Sequence, residues 1–202
     1  MRFASELSCL LGTSCVGCGV GRRLLCARCA DDLAVPVSAA PVPGVDRTVA
    51  PWSYEGPARE LVLRLKLRGR RDAAASLADG MARAARRAGL GGAALVWVPG
   101  RPRVSRRRGF DHAELLAREL ATRLGIPARP LLVRLSDPAD QTLLTAAERR
   151  ANLEGVFAAR PSPSRVVIID DLVTTGATLT ACARALRTSG AGSIEALVAC
   201  RA

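Results

Sequence analysis

Long apolar segments are missing from this sequence. Its apolar stretches are short and interrupted by arginine, and none reaches the roughly 20 residues that a membrane-spanning helix requires. The N-terminal segment, residues 1–12, contains one arginine and a brief apolar patch, but not the extended apolar region of a secretion signal. We therefore expect no membrane span and a cytoplasmic location.

Aromatic residues make up only 3% of the chain. That fraction is small for a protein that stacks the bases of single-stranded nucleic acid on aromatic side chains. Trp52, Tyr54, Trp97 and Phe110 are also too scattered along the sequence to indicate such a surface. The composition therefore argues mildly against a stacking platform for single strands.

Lysine and histidine are nearly absent, since Lys66 and His112 are the only residues of their types. Arginine supplies almost all of the positive charge, and the formal net charge is +12. Such a chain suits phosphate ligands, because the guanidinium group pairs bidentately with phosphate oxygens, and it also suits nucleic acids. A genome biased toward arginine would explain arginine over lysine, but not the excess of positive over negative charge.

Cysteine is concentrated near the N-terminus, and its spacing there is C-x2-C-x7-C-x2-C, formed by Cys15, Cys18, Cys26 and Cys29. In a cytosolic protein, clustered pairs favour a metal over disulfides, and two such pairs can place four thiolates tetrahedrally around Zn²⁺. Four thiolates fill the coordination sphere, so we predict structural zinc. Reduced structural or redox-active cysteines are the alternative.

Composition divides the 202 residues into three regions. We predict a zinc-ribbon-like module with four cysteine ligands over residues 1–33, a linker rich in proline and small residues over 34–46, and an α/β domain over 47–202. In the last region, segments typical of strands alternate with segments of helical periodicity. This alternation predicts a mostly parallel sheet with helices on both faces.

The individual elements are predicted from apolar periodicity, caps and glycine stops. The predicted strands cover residues 47–54, 94–98, 131–133, 165–169 and 194–200. The predicted helices cover residues 57–67, 72–88, 111–124 and 176–188, with one or two helical turns at 146–152.

The most informative segment is residues 166–178, VVIIDDLVTTGAT. Its β-branched start is typical of a central parallel strand, and Asp170 and Asp171 follow where that strand is expected to end. A small, hydroxyl-rich loop then leads through Gly176 into a helix. Ligands of open α/β sheets bind beyond the carboxyl ends of strands, and a helix N-terminus offers unpaired amides to a phosphate.

The order of these residues indicates a ribose 5-phosphate. The loop would hold the phosphate, while the two carboxylates would accept hydrogen bonds from the sugar hydroxyls. The alternative is structural, with aspartates that cap a strand end and threonines that form an ordinary turn. We favour the ligand site, because strand, diacid, hydroxyl loop, glycine and helix occur in the order that a phosphate site needs.

This segment resembles the signature of type I phosphoribosyltransferases that binds 5-phosphoribosyl-1-pyrophosphate (PRPP). The flanking residues resemble the ComF family, the competence-associated, phosphoribosyltransferase-like proteins of bacteria. The matching residues keep their order along the chain: the cysteine pairs, Tyr54-Glu55-Gly56, Lys66-Leu67-Arg68-Gly69, Val98-Pro99, Arg106-Arg107-Arg108-Gly109-Phe110, Ala113-Glu114-Leu115, Gln141-Thr142, Glu148-Arg149-Arg150 and Asn152. Gly100 departs from the family's usual apolar residue, and Asp111-His112 replaces its usual Asn-Gln.

The resemblance implies that residues 47–202 form a phosphoribosyltransferase-like domain that binds PRPP with Mg²⁺. It implies catalytic, ribose-binding roles for Asp170 and Asp171. The implied phosphate-binding residues are Val173, Thr174, Thr175, Gly176, Ala177 and Thr178. By similarity, residues 99–108 are the pyrophosphate loop and its approach, with the candidate ligands Arg101, Arg103, Arg106 and Arg108 and with Arg107 beside them. A solvated basic loop or a nucleic-acid contact is the alternative for these arginines.

Two functional classes follow. The first is a phosphoribosyltransferase that moves the ribosyl phosphate to a nitrogen acceptor and releases pyrophosphate. The second, implied by the resemblance, is a non-catalytic DNA-uptake protein that contacts single-stranded DNA or a competence helicase. His112 is a candidate general base, although such a residue is more often a surface position beside a helix cap. Gln141, Arg149 and Asn152 are candidates for supporting the site.

Overall fold

The computed structural model describes residues 14–32, 41–68, 70–136 and 155–202. Residues 1–13 and 33 of the predicted cysteine module and 34–40 of the predicted linker lie outside this part of the chain. The predicted helical turns at 146–152, together with Gln141, Arg149 and Asn152, also lie outside it.

The described elements alternate largely as the sequence predicts. The helices are α1 (Ala27–Asp32), α2 (Gly56–Arg68), α3 (Arg71–Arg87), α4 (Pro102–Arg108), α5 (His112–Leu124) and α6 (Ala177–Thr188). The strands are β1 (Arg47–Val49), β2 (Trp52–Ser53), β3 (Ala94–Trp97), β4 (Leu132–Arg134), β5 (Phe157–Ala159), β6 (Arg165–Val173) and β7 (Ser193–Arg201).

A parallel sheet forms the centre of the fold. Its strand order is β1-β7-β6-β3, and β2 pairs in parallel with the same edge of β7 as β1. The predicted strand 47–54 is therefore an edge strand in two pieces. The interruption falls at Pro51, because proline has no N–H to donate to a ladder.

Side chains of the central strands alternate between two apolar layers. Val167 and Ile169 of β6 lie in one layer with residues of α2, α3 and α5. Val166 and Ile168 lie in the other layer with residues of α6. The predicted fold class, a mostly parallel sheet covered by helices on both faces, is confirmed.

Strand β6 extends further than the sequence predicts. We expected it to end at Ile169, but it continues to Val173 because β7 keeps pairing with it as far as Arg201. Its other neighbour, β3, ends earlier, with Trp97 opposite Ile169. The last residues of β6 therefore have a strand on one side only, which leaves room for a ligand beside them.

Two other segments differ from expectation. Residues 102–108 form α4, although the pyrophosphate-loop interpretation implied irregular backbone there. Pro102 suits the first turn of a helix, and Gly109 closes α4 with a left-handed φ of 76°. In addition, β4 pairs with β5 in a separate antiparallel sheet that the sequence did not predict.

The described part of the cysteine-rich region packs against the α/β domain. Cys15, Leu24 and Leu25 are buried in the apolar layer that contains α3. The indole Nε1 of Trp52 donates a hydrogen bond to the carbonyl of Ala30 at 3.1 Å. The predicted boundaries at residues 33 and 46 remain predictions.

The helices described above include no candidate for a membrane-spanning segment. None of those within residues 14–32, 41–68, 70–136 and 155–202 combines the length and the apolarity needed to cross a bilayer.

Candidate functional site

The carboxyl end of β6 gathers charged side chains from three elements. Strand alternation turns Asp171 toward the layer that contains α2 and α5, the same side as Ile169. There, Lys66 Nζ of α2 lies 3.0 Å from Asp171 Oδ1, and His112 Nε2 of α5 lies 3.5 Å from Asp171 Oδ2. Asp171 is only 2% exposed, so these two side chains are its principal electrostatic partners.

One oxygen of Asp171 is left without a hydrogen bond. Asp171 Oδ2 is buried and accepts none from the described residues. A buried carboxylate oxygen in this condition is costly, because burial removes water without supplying a donor in its place. The atom is therefore available to a ligand, a metal ion or a donor on His112.

Asp170 lies beside Asp171 and is half-buried. The backbone amide of Asp171 donates a hydrogen bond to Asp170 Oδ1 at 2.9 Å, which folds the Asp170 carboxylate back toward its neighbour. Burial raises the pKa of Asp170 well above its usual range, and the charge of Asp171 raises it further. The Asp171 amide and the Lys66 ammonium act in the opposite direction. Asp170 therefore holds a proton more readily than an isolated aspartate does.

The loop after β6 forms an open cradle at the start of α6. Thr174 and Thr175 are exposed, and the cradle is lined by Asp170 and residues 172–179. Gly176 is the N-cap of α6 and contributes no side chain to its cap. The first amides of a helix have no partner within it, so this end of α6 can donate to an anion.

Gly176 is required at the cradle for two reasons. Its φ is 76°, in the left-handed region, and a Cβ there would lie 3.0 Å from Val42 Cγ2. Val42 is itself 5% exposed and belongs to the second apolar layer. A residue of the predicted linker therefore packs directly against the loop between β6 and α6.

The arginine-rich segment leaves the sheet beside Asp170. Val98 donates its amide to the carbonyl of Ile169 at 3.0 Å, so residues 99–108 begin next to the diacid. Arg101 is the N-cap residue of α4, Arg106 is exposed and Arg108 is half-buried. Only the backbone of Arg103 and Arg107 is described. Arg134, which the sequence did not single out, donates from Nε to the carbonyl of Pro99 at 3.1 Å.

The two departures from the ComF pattern touch each other. The Gly100 amide donates to Asp111 Oδ2 at 2.7 Å, while Asp111 Oδ1 accepts from the amide of Ala113 at 2.9 Å and so caps α5. A Cβ on Gly100 would lie 2.8 Å from Ser105 Oγ and 3.0 Å from Asp111 Oδ2. Gly100 and Asp111 are therefore in direct contact, and Asp111 caps the helix that carries His112.

Nothing in the sequence indicated that Lys66 and His112 would lie beside Asp171. The structure brings both to Asp171, on helices far from it in the sequence. The sequence feature that sets these two residues apart is their rarity, since each is the only residue of its type in the chain. In a protein that uses arginine at nearly every other basic position, a lone lysine indicates a position where a compact ammonium group is needed.

The four predicted zinc ligands come together in a separate cluster. Their sulfurs lie within 4.8 Å of one another, and Cys18 Sγ is 3.9 Å from Cys26 Sγ. Sulfurs about 2.3 Å from one tetrahedral Zn²⁺ are separated by roughly 3.8 Å, so the cluster is compatible with a structural zinc ion. Gly17 makes room for it, because a Cβ there would lie 2.9 Å from Cys29 Sγ.

Backbone amides point toward the sulfurs of this cluster. Cys26 donates its amide to Cys15 Sγ at 3.4 Å, and Cys29 donates to Cys26 Sγ at 3.5 Å. Burial alone would raise the pKa of Cys15, but amides of Cys26, Cys18 and Gly17 outweigh it and lower that pKa to about 6. The hydrogen bond to Cys26, burial and the neighbouring sulfurs raise the pKa of Cys29 to about 12. A divalent cation would relieve this competition among the four thiols.

Comparison with known proteins assigns the chain to a family. The family described as "Phosphoribosyl transferase domain" matches residues 108–202. DNA utilization protein YhgH of Salmonella typhi is 34% identical over 167 residues, which cover 79% of this chain and 74% of that protein. The protein of the same name from Escherichia coli strain K12 is 32% identical over 200 residues, 94% of this chain and 84% of its own length. The chain belongs to the ComF family.

A further ComF relative, competence protein F of Haemophilus influenzae, is 35% identical over 95 residues. That match covers 44% of this chain and 42% of the relative, so the chain spans less than half of that protein. Among solved structures, the allosteric regulatory enzyme of purine biosynthesis aligns over 68% of this chain and 30% of its own, with 17% identity and a TM-score of 0.46. That likeness is too distant to support a functional conclusion.

The buried Asp171 generates a stability prediction for this ComF-family chain. Lys66→Met would leave the carboxylate buried without its ammonium partner. We expect the unfolding free energy, measured by urea denaturation, to fall by about 3 kcal/mol, because removing one member of a buried ion pair leaves an uncompensated charge. Adding Asp171→Asn to Lys66→Met should recover part of that loss.

Arg64 provides the matched control on the same helix. It pairs with Glu60 one turn away, and the Glu60 side chain is 44% exposed. Such surface pairs contribute about 0.5 kcal/mol, so Arg64→Met should cost little. Equal losses for the two variants would contradict a special role for Lys66.

Proposed function

We propose that this protein binds PRPP at the carboxyl end of β6. The observation that supports the proposal is the adjacency of two aspartates, one of them buried, and an open cradle at a helix N-terminus, all formed by one strand–loop–helix segment. Asp170 lines the cradle together with residues 172–179, so a sugar and its 5-phosphate could contact both at once. The family match over residues 108–202 includes this whole segment.

Each part of PRPP has a proposed partner. The 5-phosphate would accept hydrogen bonds from the loop of Val173, Thr174, Thr175, Gly176, Ala177 and Thr178 and from the first turn of α6. The ribose hydroxyls would donate to Asp170 and Asp171. The pyrophosphate would lie toward the arginines of residues 101–108, which begin beside the diacid. Guanidinium groups suit this role, because they pair bidentately with phosphate oxygens.

The residues present fit the Mg²⁺ that accompanies PRPP in the proposal. Mg²⁺ prefers oxygen ligands and keeps several waters. The carboxylates of Asp170 and Asp171 supply such oxygens, and Asp171 Oδ2 accepts no hydrogen bond from the described residues. Bound there with PRPP, Mg²⁺ would offset charge on the pyrophosphate.

The proposed reaction transfers the 5-phosphoribosyl group to a nitrogen acceptor. The bond between ribose C1 and the pyrophosphate oxygen breaks, and a bond from C1 to nitrogen forms. The pyrophosphate leaves with the electron pair, and the acceptor nitrogen loses its proton. Arginine side chains and loop amides would stabilise the charge that moves onto the leaving group. His112, next to Asp171, is the nearest imidazole that could accept the proton.

Calorimetric titration with PRPP in the presence of Mg²⁺ tests the pocket. We expect the wild-type chain to bind and the double variant Asp170→Asn with Asp171→Asn to bind at least about tenfold more weakly, because both ribose acceptors lose their charge. Gly176→Ala should weaken binding as well, since a Cβ at this left-handed position would press on Val42 and deform the cradle.

Asp79→Asn serves as the control for the PRPP titration. Asp79 is an ion-paired aspartate that contacts Arg123 at 2.7 Å, near the end of α5 opposite to His112. Circular dichroism would verify that each variant is folded. If the double variant bound PRPP as well as the wild type, the pocket assignment would be wrong. Release of pyrophosphate in a screen of nitrogen acceptors would then distinguish an enzyme from a sensor of PRPP.

A second candidate is a non-catalytic role in DNA uptake. It is favoured by the names of the relatives, competence protein F and DNA utilization protein YhgH, and by the net charge of +12. In this candidate, the arginine segment and the cysteine module would contact single-stranded DNA or a helicase.

Fluorescence anisotropy with labelled single-stranded DNA tests the second candidate. We expect DNA binding, if it is the function, to weaken steeply with salt and to be reduced by Arg106→Glu, because phosphate contacts release counterions. Arg118→Glu, on the exposed side of α5, is the control. Tight DNA binding without any PRPP binding would favour this candidate over the first.

We also propose that Cys15, Cys18, Cys26 and Cys29 hold one structural Zn²⁺. Atomic emission should find about one zinc per chain, lost in Cys26→Ser and retained in Cys182→Ala, whose cysteine lies outside the cluster. A strong chelator should lower the midpoint of thermal unfolding, because metal binding contributes to folding. Full zinc content in Cys26→Ser would contradict the assignment.

A further inference from the structure

Three metal-ligating side chains converge at the carboxyl end of β6. His112 at the start of α5 and Asp170 and Asp171 in β6 each offer a ligand atom, and these atoms lie within 4.8 Å of one another. His112 Nε2 and Asp171 Oδ2 lie 3.5 Å apart. Two ligands about 2.1 Å from a common metal ion are separated by roughly 3 to 4 Å, so this pair already has the spacing of a metal site.

A second observation also points to a ligand at this place. Asp171 is 2% exposed, and its Oδ2 accepts no hydrogen bond from the described residues. The other oxygen, Oδ1, faces Lys66. The unpartnered oxygen is therefore the one nearest to His112, and a cation between them would supply what the protein does not.

The local charge favours a cation. Asp171 and Asp111 both act on Asp170 as like charges, whereas Lys66 is an opposing ammonium. Two features work against a cation, namely Lys66 itself and the positive N-terminal end of α5. Asp111 caps that end and offsets its partial charge, and Lys66 occupies only the far oxygen of Asp171.

We propose that His112, Asp170 and Asp171 form a site for a first-row divalent transition metal that the protein binds without PRPP. One imidazole and two carboxylates favour Mn²⁺, Fe²⁺, Co²⁺ or Zn²⁺ over Mg²⁺, which prefers oxygen ligands alone. The site shares its carboxylates with the proposed PRPP pocket. It differs from a Mg²⁺ ion that arrives with the pyrophosphate, because it adds the imidazole of His112 to the two carboxylates and fills without PRPP.

Mn²⁺ is the appropriate probe, because the cysteine cluster can be kept filled with zinc, which thiolates bind more tightly than manganese. Titration of the full chain with Mn²⁺, without PRPP, would be followed by the electron paramagnetic resonance signal of free Mn²⁺. We expect one Mn²⁺ per chain without release of zinc. Pulsed measurements should show coupling to an imidazole nitrogen.

His112→Gln is the decisive variant. Glutamine is the residue that the ComF pattern usually carries there, so the substitution removes the imidazole with little risk to the fold. We expect Mn²⁺ affinity to fall at least about tenfold and the nitrogen coupling to disappear. Asp79→Asn, the control aspartate used above, should leave both unchanged.

Three results would overturn the inference: a wild-type chain that takes up no Mn²⁺, uptake that matches zinc release, or an unchanged affinity in His112→Gln. Its failure is distinguishable from failure of the PRPP proposal. Mn²⁺ binding without any PRPP binding would support the metal site and reject the PRPP pocket. PRPP binding with Mg²⁺, but no Mn²⁺ binding to the free protein, would support the PRPP pocket and reject the metal site.

Discussion

The packing of α2 and α5 around the carboxyl end of β6 depends on one buried carboxylate, that of Asp171. A charged group at 2% exposure has lost its water and is tolerable only beside cations or hydrogen-bond donors. Lys66 and His112 approach it from α2 and α5, so the two helices meet β6 at the same point. Neither partner saturates it, and the remaining oxygen is a buried acceptor without a hydrogen bond from the described residues.

The local part of this arrangement could be predicted from the sequence. β-Branched residues, two aspartates, a hydroxyl-rich loop and a glycine follow one another without a gap, and each has a conformational preference that does not depend on distant residues. The parallel sheet followed from the alternation of strand-like and helix-like segments. Gly176 was recognised for the same reason, since a turn into a helix is a local requirement.

The rest depended on packing between segments that are far apart in sequence. The end of β6 is set by how long β7 continues beside it after β3 has stopped, which no pattern within residues 165–173 encodes. The approach of Lys66 and His112 to Asp171 depends on how α2 and α5 lie on the sheet. Gly100 and Asp111 looked like two unrelated departures from the family, yet a 2.7 Å hydrogen bond joins them.

The contact between Val42 and Gly176 has a practical consequence for anyone who wishes to study the α/β region alone. A fragment that begins at residue 47 would follow the compositional boundary, but it would remove the Val42 side chain that packs behind the loop between β6 and α6. The loss of Val42 would leave a cavity behind the loop, and the loop could shift into that cavity. A truncation intended to isolate the pocket would thereby damage it, so a useful fragment has to retain Val42 and the buried residues of the cysteine-rich region, such as Leu24 and Leu25.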